Sequence, residues 1–362
     1  MIKCAKIFLT ITAFLVLLAS CNNDETKYDD RYVIKSFTRE DITETKILFG
    51  NKLPFESIVF PRFVSIIDNF LVVTERDANH FIHLIELSEN QQTYRRSLGV
   101  KGDGPGEIRG VAFIDAGFGD GTFWTFMLNN MLFSNFVLSD SSLYAINQLR
   151  LDFRNHFPIG AAWTADSTLM IVKGNDDEKF TEIDLDENVI NTFGSWNGMI
   201  EGNYPANIIP SLYSGRFIAS KNKQTFGLFS SRTDVIELLD RSKEKIISIR
   251  GPENYIPKFE VDYSSGYPMF HVPNHLESRP QYLDGYFTDK HIYALYSGRT
   301  RAEIDQKNIM CDEVFVFDYE GNLLKHYKLD HSLLTFAIDE KHNKMYGGTY
   351  DANPGIVVFD LD

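Results

Sequence analysis

Cysteine is scarce in this chain. Among 362 residues there are three, Cys4, Cys21 and Cys311. No Cys-x-x-Cys pair occurs, so thiol redox chemistry and cysteine-rich zinc sites have no motif to stand on. Basic runs are missing as well: Lys and Arg total 36 against 50 Asp and Glu, for a net charge of −14. Nucleic-acid binding depends on neutralising phosphates, and this balance argues against it. Neither a Gly-x-Ser-x-Gly elbow nor a His-Glu-x-x-His helix is present, which lowers the expectation of a serine hydrolase or a zinc protease. After residue 21 no segment carries sustained helical periodicity. No cofactor or metal is predicted.

The one long apolar run lies at the N-terminus. Lys3 and Lys6 precede Ile7–Leu18, which is too short and wrongly flanked for a spanning helix and suits a secretory signal. It ends in Leu18-Ala19-Ser20-Cys21, an apolar residue, two small ones and a cysteine, the pattern at which a lipoprotein signal is cut and Cys21 acylated. A cleaved signal with a chance cysteine would need only the small residues. The expected organisation is a signal over 1–20, an acidic tether over 21–30 and one domain over 31–362. Loss of Lys3 and Lys6 leaves 34 basic residues against 50 acidic ones, or −16, and leaves Cys311 unpaired, an apolar filler rather than a nucleophile. The predicted location is the cell envelope, on the periplasmic or the surface side of the outer membrane. The expected partners are the membrane, through the lipid, and a protein, peptide or glycan.

The domain repeats in pattern rather than in identity. A short apolar strand after a turn recurs at 69–73, 121–124, 167–171, 224–228, 291–295 and 343–347. An alternating strand follows each copy, at 84–87, 135–138, 182–185, 236–239, 316–319 and 358–361. The two elements lie 13 to 16 residues apart, except for 26 in the fifth copy. Six units of about 45 residues with period-2 alternation predict an all-β fold, a six-bladed β-propeller. A β-sandwich lacks a fixed unit length. If these elements are the second and third strands of each blade, the sixth blade lacks an outer strand of its own. Tyr32–Phe37 alternates correctly to supply it, so the last blade is expected to be closed by this N-terminal strand.

Lys101-Gly102-Asp103-Gly104-Pro105-Gly106-Glu107 resembles the Gly-x-Gly-Pro-Gly-Glu signature of TolB-like six-bladed propeller lipoproteins from Bacteroides-type bacteria. Ile292–Gly298 and the 337–347 stretch are similar to that family's later blades, and the resemblance covers the whole mature chain. It departs at Ile108, where such proteins commonly carry Phe. The resemblance implies a fold and an envelope location, and no reaction.

The other motifs read as structure. In the glycine-rich loop Glu107 stands where a phosphate loop needs Lys-Ser/Thr, so it is expected to be a turn between blades. Pro273 between His271 and His275 argues against a helix that could bring two metal ligands together. Asp184–Asn188 lacks the Gly and Glu of a calcium loop and is expected to be a hairpin turn.

Unit lengths point to a binding face. The step from Leu239 to Tyr293 is 54 residues, against 26 to 41 elsewhere, which places extra chain at about 250–281. The fifth unit also holds about ten extra residues over 297–312. In a propeller both kinds of connection emerge on one face, together with the 101–109 loop, around the axial channel. The candidate binding residues there are Lys101, Asp103, Glu107, Arg109, Tyr263, Tyr267, His271, Arg279, Arg299 and Arg301. Arginine forks beside aromatic rings suit sugars, peptides or carboxylates. The first functional reading is a binding or scaffold module. The second is a hydrolase or lyase acting on a glycan or peptide at the axis, which would need convergent carboxylates and a histidine.

Overall fold

The computed structural model describes residues 31–76, 78–89 and 91–361. The predicted signal, Cys21 and the tether lie outside them. Three short strands come first: β1 (Tyr32–Ser36), β2 (Thr45–Leu48) and β3 (Gly50–Lys52). Four antiparallel groups of four strands follow in chain order. Group one is β4 (Pro61–Ile67), β5 (Phe70–Glu75), β6 (His80–Leu87) and β7 (Gln92–Val100). Group two is β8 (Phe113–Ala116), β9 (Thr122–Met127), β10 (Leu132–Val137) and β11 (Asn147–Arg150). Group three is β12 (Pro158–Ala165), β13 (Thr168–Lys173), β14 (Glu178–Asp184) and β15 (Val189–Ser195). Group four is β16 (Gly215–Ala219), β17 (Thr225–Ser230), β18 (Val235–Asp240) and β19 (Lys245–Arg250).

A small hairpin, β20 (Glu260–Asp262) and β21 (Met269–His271), interrupts the series. The chain then builds β22 (Tyr282–Phe287), β23 (Ile292–Tyr296), β24 (Cys311–Phe317), β25 (Leu323–Asp339), β26 (Lys344–Thr349) and β27 (Ile356–Asp360). The 17-residue β25 closes the fifth group with its first half and opens the sixth with its second, so the two groups share one continuous sheet. The twelve segments expected as second and third strands all fall on such strands, β5 and β6 through β26 and β27.

The fold is an all-β propeller. Inner strands lie side by side, β4 against β8, β12 against β16, β16 against β22, β22 against β25 and β25 back against β4. The backbone N–H of Trp163 in β12 donates to Asp115 in β8 at 2.9 Å. Apolar clusters fill the wedges between consecutive groups. Ile82, Leu84 and Leu98 of group one meet Ile114, Phe123 and Phe136 of group two. Phe133 of group two meets Trp163 and Ile171 of group three. Val64 and Leu71 of group one meet Ala337 and Tyr346 of the last. Alternation along each strand feeds two neighbouring wedges, which is why the strands are apolar on both faces.

Closure differs from the expectation. Tyr32–Ser36 does not pair with β27. It lies parallel to β19, as a fifth strand on group four, with Tyr32 opposite Ile246 and Ser36 opposite Arg250. The reason is at its start. The Tyr32 hydroxyl donates to Glu237 at 3.1 Å, and the ring lies 5.3 Å from the Lys179 ammonium. Lys179 and Glu237 form a buried ion pair at 2.9 Å between groups three and four. Covering such a pair satisfies charges that would be costly to leave unpaired. The edge of β27 is instead paired antiparallel by Gly50–Lys52. A Cβ on Gly50 would stand 2.5 Å from Val357 and 2.7 Å from Phe359, so this strand needs its glycine. Between the two, β2 lies parallel to the first half of β25, with Thr45 bonded to His326 at 2.9 Å. Residues 31–53 thus run as a belt along the outer strands of groups four, five and six.

Candidate functional site

A meander has two ends. The inner-to-second and third-to-outer turns lie at one, here called the turn end. The second-to-third loops and the crossings between groups lie at the other, the connection end. A cavity of about 390 Å³ occupies the axis and is lined by all the inner strands and by the turns that follow all of them but β12. That volume is within the range of small-molecule sites.

The lip is made of turns. Between β8 and β9 the segment Gly117-Phe118-Gly119-Asp120-Gly121 folds so tightly that a Cβ on Gly117 would meet the Thr122 hydroxyl at 2.1 Å. Thr122 accepts from the Gly119 N–H at 3.1 Å and donates to its carbonyl at 2.7 Å. Asp68, from the equivalent turn of group one, accepts from the Gly121 N–H at 2.7 Å and ties neighbouring turns together. Glu340 accepts from the Asp289 N–H at 3.0 Å and does the same for the last two groups. Phe118 stands about half exposed at the lip, edge-on to Trp163 at 6.3 Å. Asp115 below it is paired with Lys223.

The floor is an arginine that crosses the axis. Arg216, the second residue of β16, donates through Nε to Asp284 of β22 at 3.1 Å and through Nη1 to the Ala112 carbonyl at 3.0 Å. Its guanidinium lies 4.4 Å from the Phe63 ring and 5.1 Å from the Phe113 ring. Side chains from three other groups therefore meet on one planar cation. Asp284 also accepts from the Thr335 hydroxyl at 2.6 Å and from the N–H groups of Gly285 and Phe336 at 2.9 and 3.3 Å. Burial pushes the Asp284 carboxyl above its usual range, against the pull of Arg216. Burial likewise lowers the Arg216 guanidinium, against the pull of Asp284. The cavity is a cup: barred at the connection end, open at the turn end.

The expected binding residues lie elsewhere. The 101–109 loop is a self-contained turn, as its composition implied. Glu107 accepts from the Gly104 N–H at 2.7 Å, Gly106 has φ +75°, and Asp103 pairs with Arg109 at the surface. Ala145 and Gln148 of group two hold it in place, and Lys101 extends near the Phe81 ring at 6.0 Å.

The two insertions do come together. Arg301 opens a short helix, Arg301–Lys307, and its backbone N–H donates to Ser278 at 2.8 Å, while Gly298 donates to Pro280 at 3.0 Å. Their arginines serve this packing: Arg279 bonds Glu253 at 3.2 Å beside Tyr255, and Arg299 bonds Asp312 at 2.8 Å. Tyr263, Tyr267 and His271 are exposed on the β20–β21 hairpin. Asp184–Asn188 is the expected hairpin turn, with Asp184 accepting from the N–H groups of Asp186 and Asn188 at 2.9 and 2.8 Å. Cys311 is fully buried, and burial pushes its thiol well up, which suits a filler. Among the described residues no group of three His, Cys, Asp or Glu could hold a metal ion.

Sequence reasoning missed the cup. A signal was present: an acidic residue recurs just before most second strands, at Asp68, Asp120, Asp166, Asp289 and Glu340. The repeat superposes these positions at the turn end, where Asp68, Asp120, Asp289 and Glu340 line the lip.

The TolB-like 6-blade propeller-like family model matches residues 35–341. The chain belongs to that family. Two solved structures are similar to this TolB-like propeller in fold. One is a Bacteroides fragilis protein labelled exported, 11% identical, with a TM-score of 0.54 over 91% of this chain and 98% of that one. The other is a member of the duf4221 family from Bacteroides vulgatus, 12% identical, with a TM-score of 0.56 over 87% of this chain and 96% of that one. No curated protein matches this TolB-like chain.

Proposed function

We propose that the protein is an exported, lipid-anchored propeller of six blades that binds a protein, peptide or glycan in the cell envelope, with the axial cup as its ligand site. The observation that carries this reading is the one-ended cavity of about 390 Å³, rimmed by side chains from turns and floored by a buried ion pair. The apolar wedges between consecutive strand groups support the blade count, and the pairing of Gly50–Lys52 with β27 supplies the last blade with an outer strand from the N-terminal side. Acylation of Cys21 follows from the Leu-Ala-Ser-Cys pattern, and the exported label of a structural neighbour agrees with it.

The test has two arms. Metabolic labelling with a fatty-acid analogue should mark the wild-type protein and not Cys21→Ser; labelling of the variant sinks the anchor. Thermal shifts with fractionated envelope peptides and glycans should identify a stabilising fraction. That shift should vanish in Ser65→Trp, which fills the cup from a half-buried lining position. A shift that survives the plug moves the site elsewhere. The insertion end is the second reading, favoured by the exposed Ile256, Tyr263, Tyr267, Met269 and Leu276 along one segment.

A further inference from the structure

We infer that the cup binds a short peptide as a zwitterion, with the C-terminal carboxylate on the free edge of Arg216 and the ammonium at the acidic lip. This rests on the reading of the cup as the binding site.

The floor supplies the first half of the argument. A guanidinium carries five N–H donors. Arg216 gives one to Asp284 and one to Ala112, and Nη2 has no protein acceptor among the described residues. Yet the residue is 93% buried, at 7% relative exposure, and lines the cavity. Nη2 is therefore reached from the cavity rather than sealed in the core. The rings of Phe63 and Phe113 fix the guanidinium plane, so its open edge is held ready for an in-plane acceptor such as a carboxylate. Asp284 is no substitute for that acceptor, since its oxygens already serve four donors.

The lip supplies the second half. Asp68, Asp120, Asp289 and Glu340 line it with Lys221 the only exposed cation among the lining residues. A plain anion would be repelled on entry, while a ligand with a positive end would be drawn in and oriented. The lining runs along β16 from Arg216 to Ala219, three steps of about 3.3 Å, so roughly 10 Å separates floor and lip. An extended peptide of about three residues spans that distance.

Calorimetric titration of the full mature chain with triglycine, triglycinamide, N-acetyl-triglycine and galacturonic acid tests this. Triglycine should bind, and removing its carboxylate as the amide should weaken binding at least about tenfold. N-acetylation should weaken it less, and that loss should disappear in Asp289→Asn/Glu340→Gln, whose side chains are exposed and whose new amide oxygen can still accept from the residue 289 N–H. Arg216→Lys keeps the charge and loses the planar edge, and should bind triglycine about as weakly as wild type binds the amide. Equal affinity for triglycine and its amide overturns the inference, as does no binding of triglycine at millimolar concentration. Galacturonic acid binding in place of triglycine, and blocked by Ser65→Trp, overturns the peptide and keeps the cup. A stabilising envelope fraction unaffected by Ser65→Trp overturns the cup itself.

Discussion

The two ends of the axis are built on different principles. At the turn end each connection is a few residues long, and small residues and carboxylates stand around an opening. At the connection end the chain is longest, and several of its charged groups pair with one another, Arg279 with Glu253, Arg299 with Asp312 and Arg39 with Glu313, while Arg299 Nη1 and Arg301 Nε are buried without a hydrogen-bond partner. Extra chain therefore spends part of its polar groups on its own packing. Long loops have to satisfy their own backbone and side chains before they can offer anything to a partner. Short turns on a closed ring need fewer such bonds, and where Asp68 and Glu340 tie neighbouring turns together, Asp120 and Asp289 stay exposed beside them.

The largest expected effect comes from the residue that separates the two ends. Arg216→Met leaves Asp284 buried without its cation, and should cost about 3–5 kcal/mol in urea unfolding. A loss below about 1 kcal/mol would mean that the axis is not barred by this pair. Next comes the pH response, which the comparison places at the connection end. Asp234, whose oxygens accept from the N–H groups of Glu253 and Tyr255 at the start of the longer insertion, is pushed up to about 6 by burial, from 3.8. A raised carboxyl favours the protonated fold. Its contribution is fully present below about 3.8 and is lost as pH rises through about 6, on the order of 3 kcal/mol. Asp234→Asn should flatten the stability curve over that window; an unchanged slope would assign it to other groups. Glu313 acts with the opposite sign. Held down to about 2 by His326, Arg39 and Lys328 against its burial, it contributes stability above about 4.5 that is lost as pH falls towards 2.

Smaller effects sharpen the contrast within the insertions. Arg299→Ala removes one of two cations on Asp312, Lys328 being the other at 3.0 Å, and should cost about 1–2 kcal/mol by thermal unfolding. Tyr267→Ala, on a side chain half in solvent, should change stability by less than about 0.5 kcal/mol. If it cost as much as Arg299→Ala, the hairpin would be part of the core rather than a surface.

Much of the propeller was legible in the sequence. Strands such as Leu71–Val73 and Val316–Phe317 announce themselves because they are apolar on both faces. The partner of a strand is harder to read. Tyr32–Ser36 alternates well enough for any edge, and the Tyr32 contact with Glu237 and Lys179 favours group four. Gly50–Lys52 has three residues and no apolar side chain, so pattern alone cannot mark it as a strand. The cup was hidden for another reason. Arg216 and Asp284 are 68 positions apart, and what joins them is ring closure, which no local pattern records.

The belt of residues 31–53 bears on mechanics. An envelope anchor upstream would deliver tension to β1 from its N-terminal end. Directed along the strand, that tension shears the ladder with β19, so the five residue pairs from Tyr32–Ile246 to Ser36–Arg250 resist together instead of parting one at a time. Behind them β2 is laid parallel on β25 in the same manner. The strand β3, which completes the edge of β27, lies downstream of both. A tug on such an anchor would thus be borne by group four before it could reach the pairing of β3 with β27.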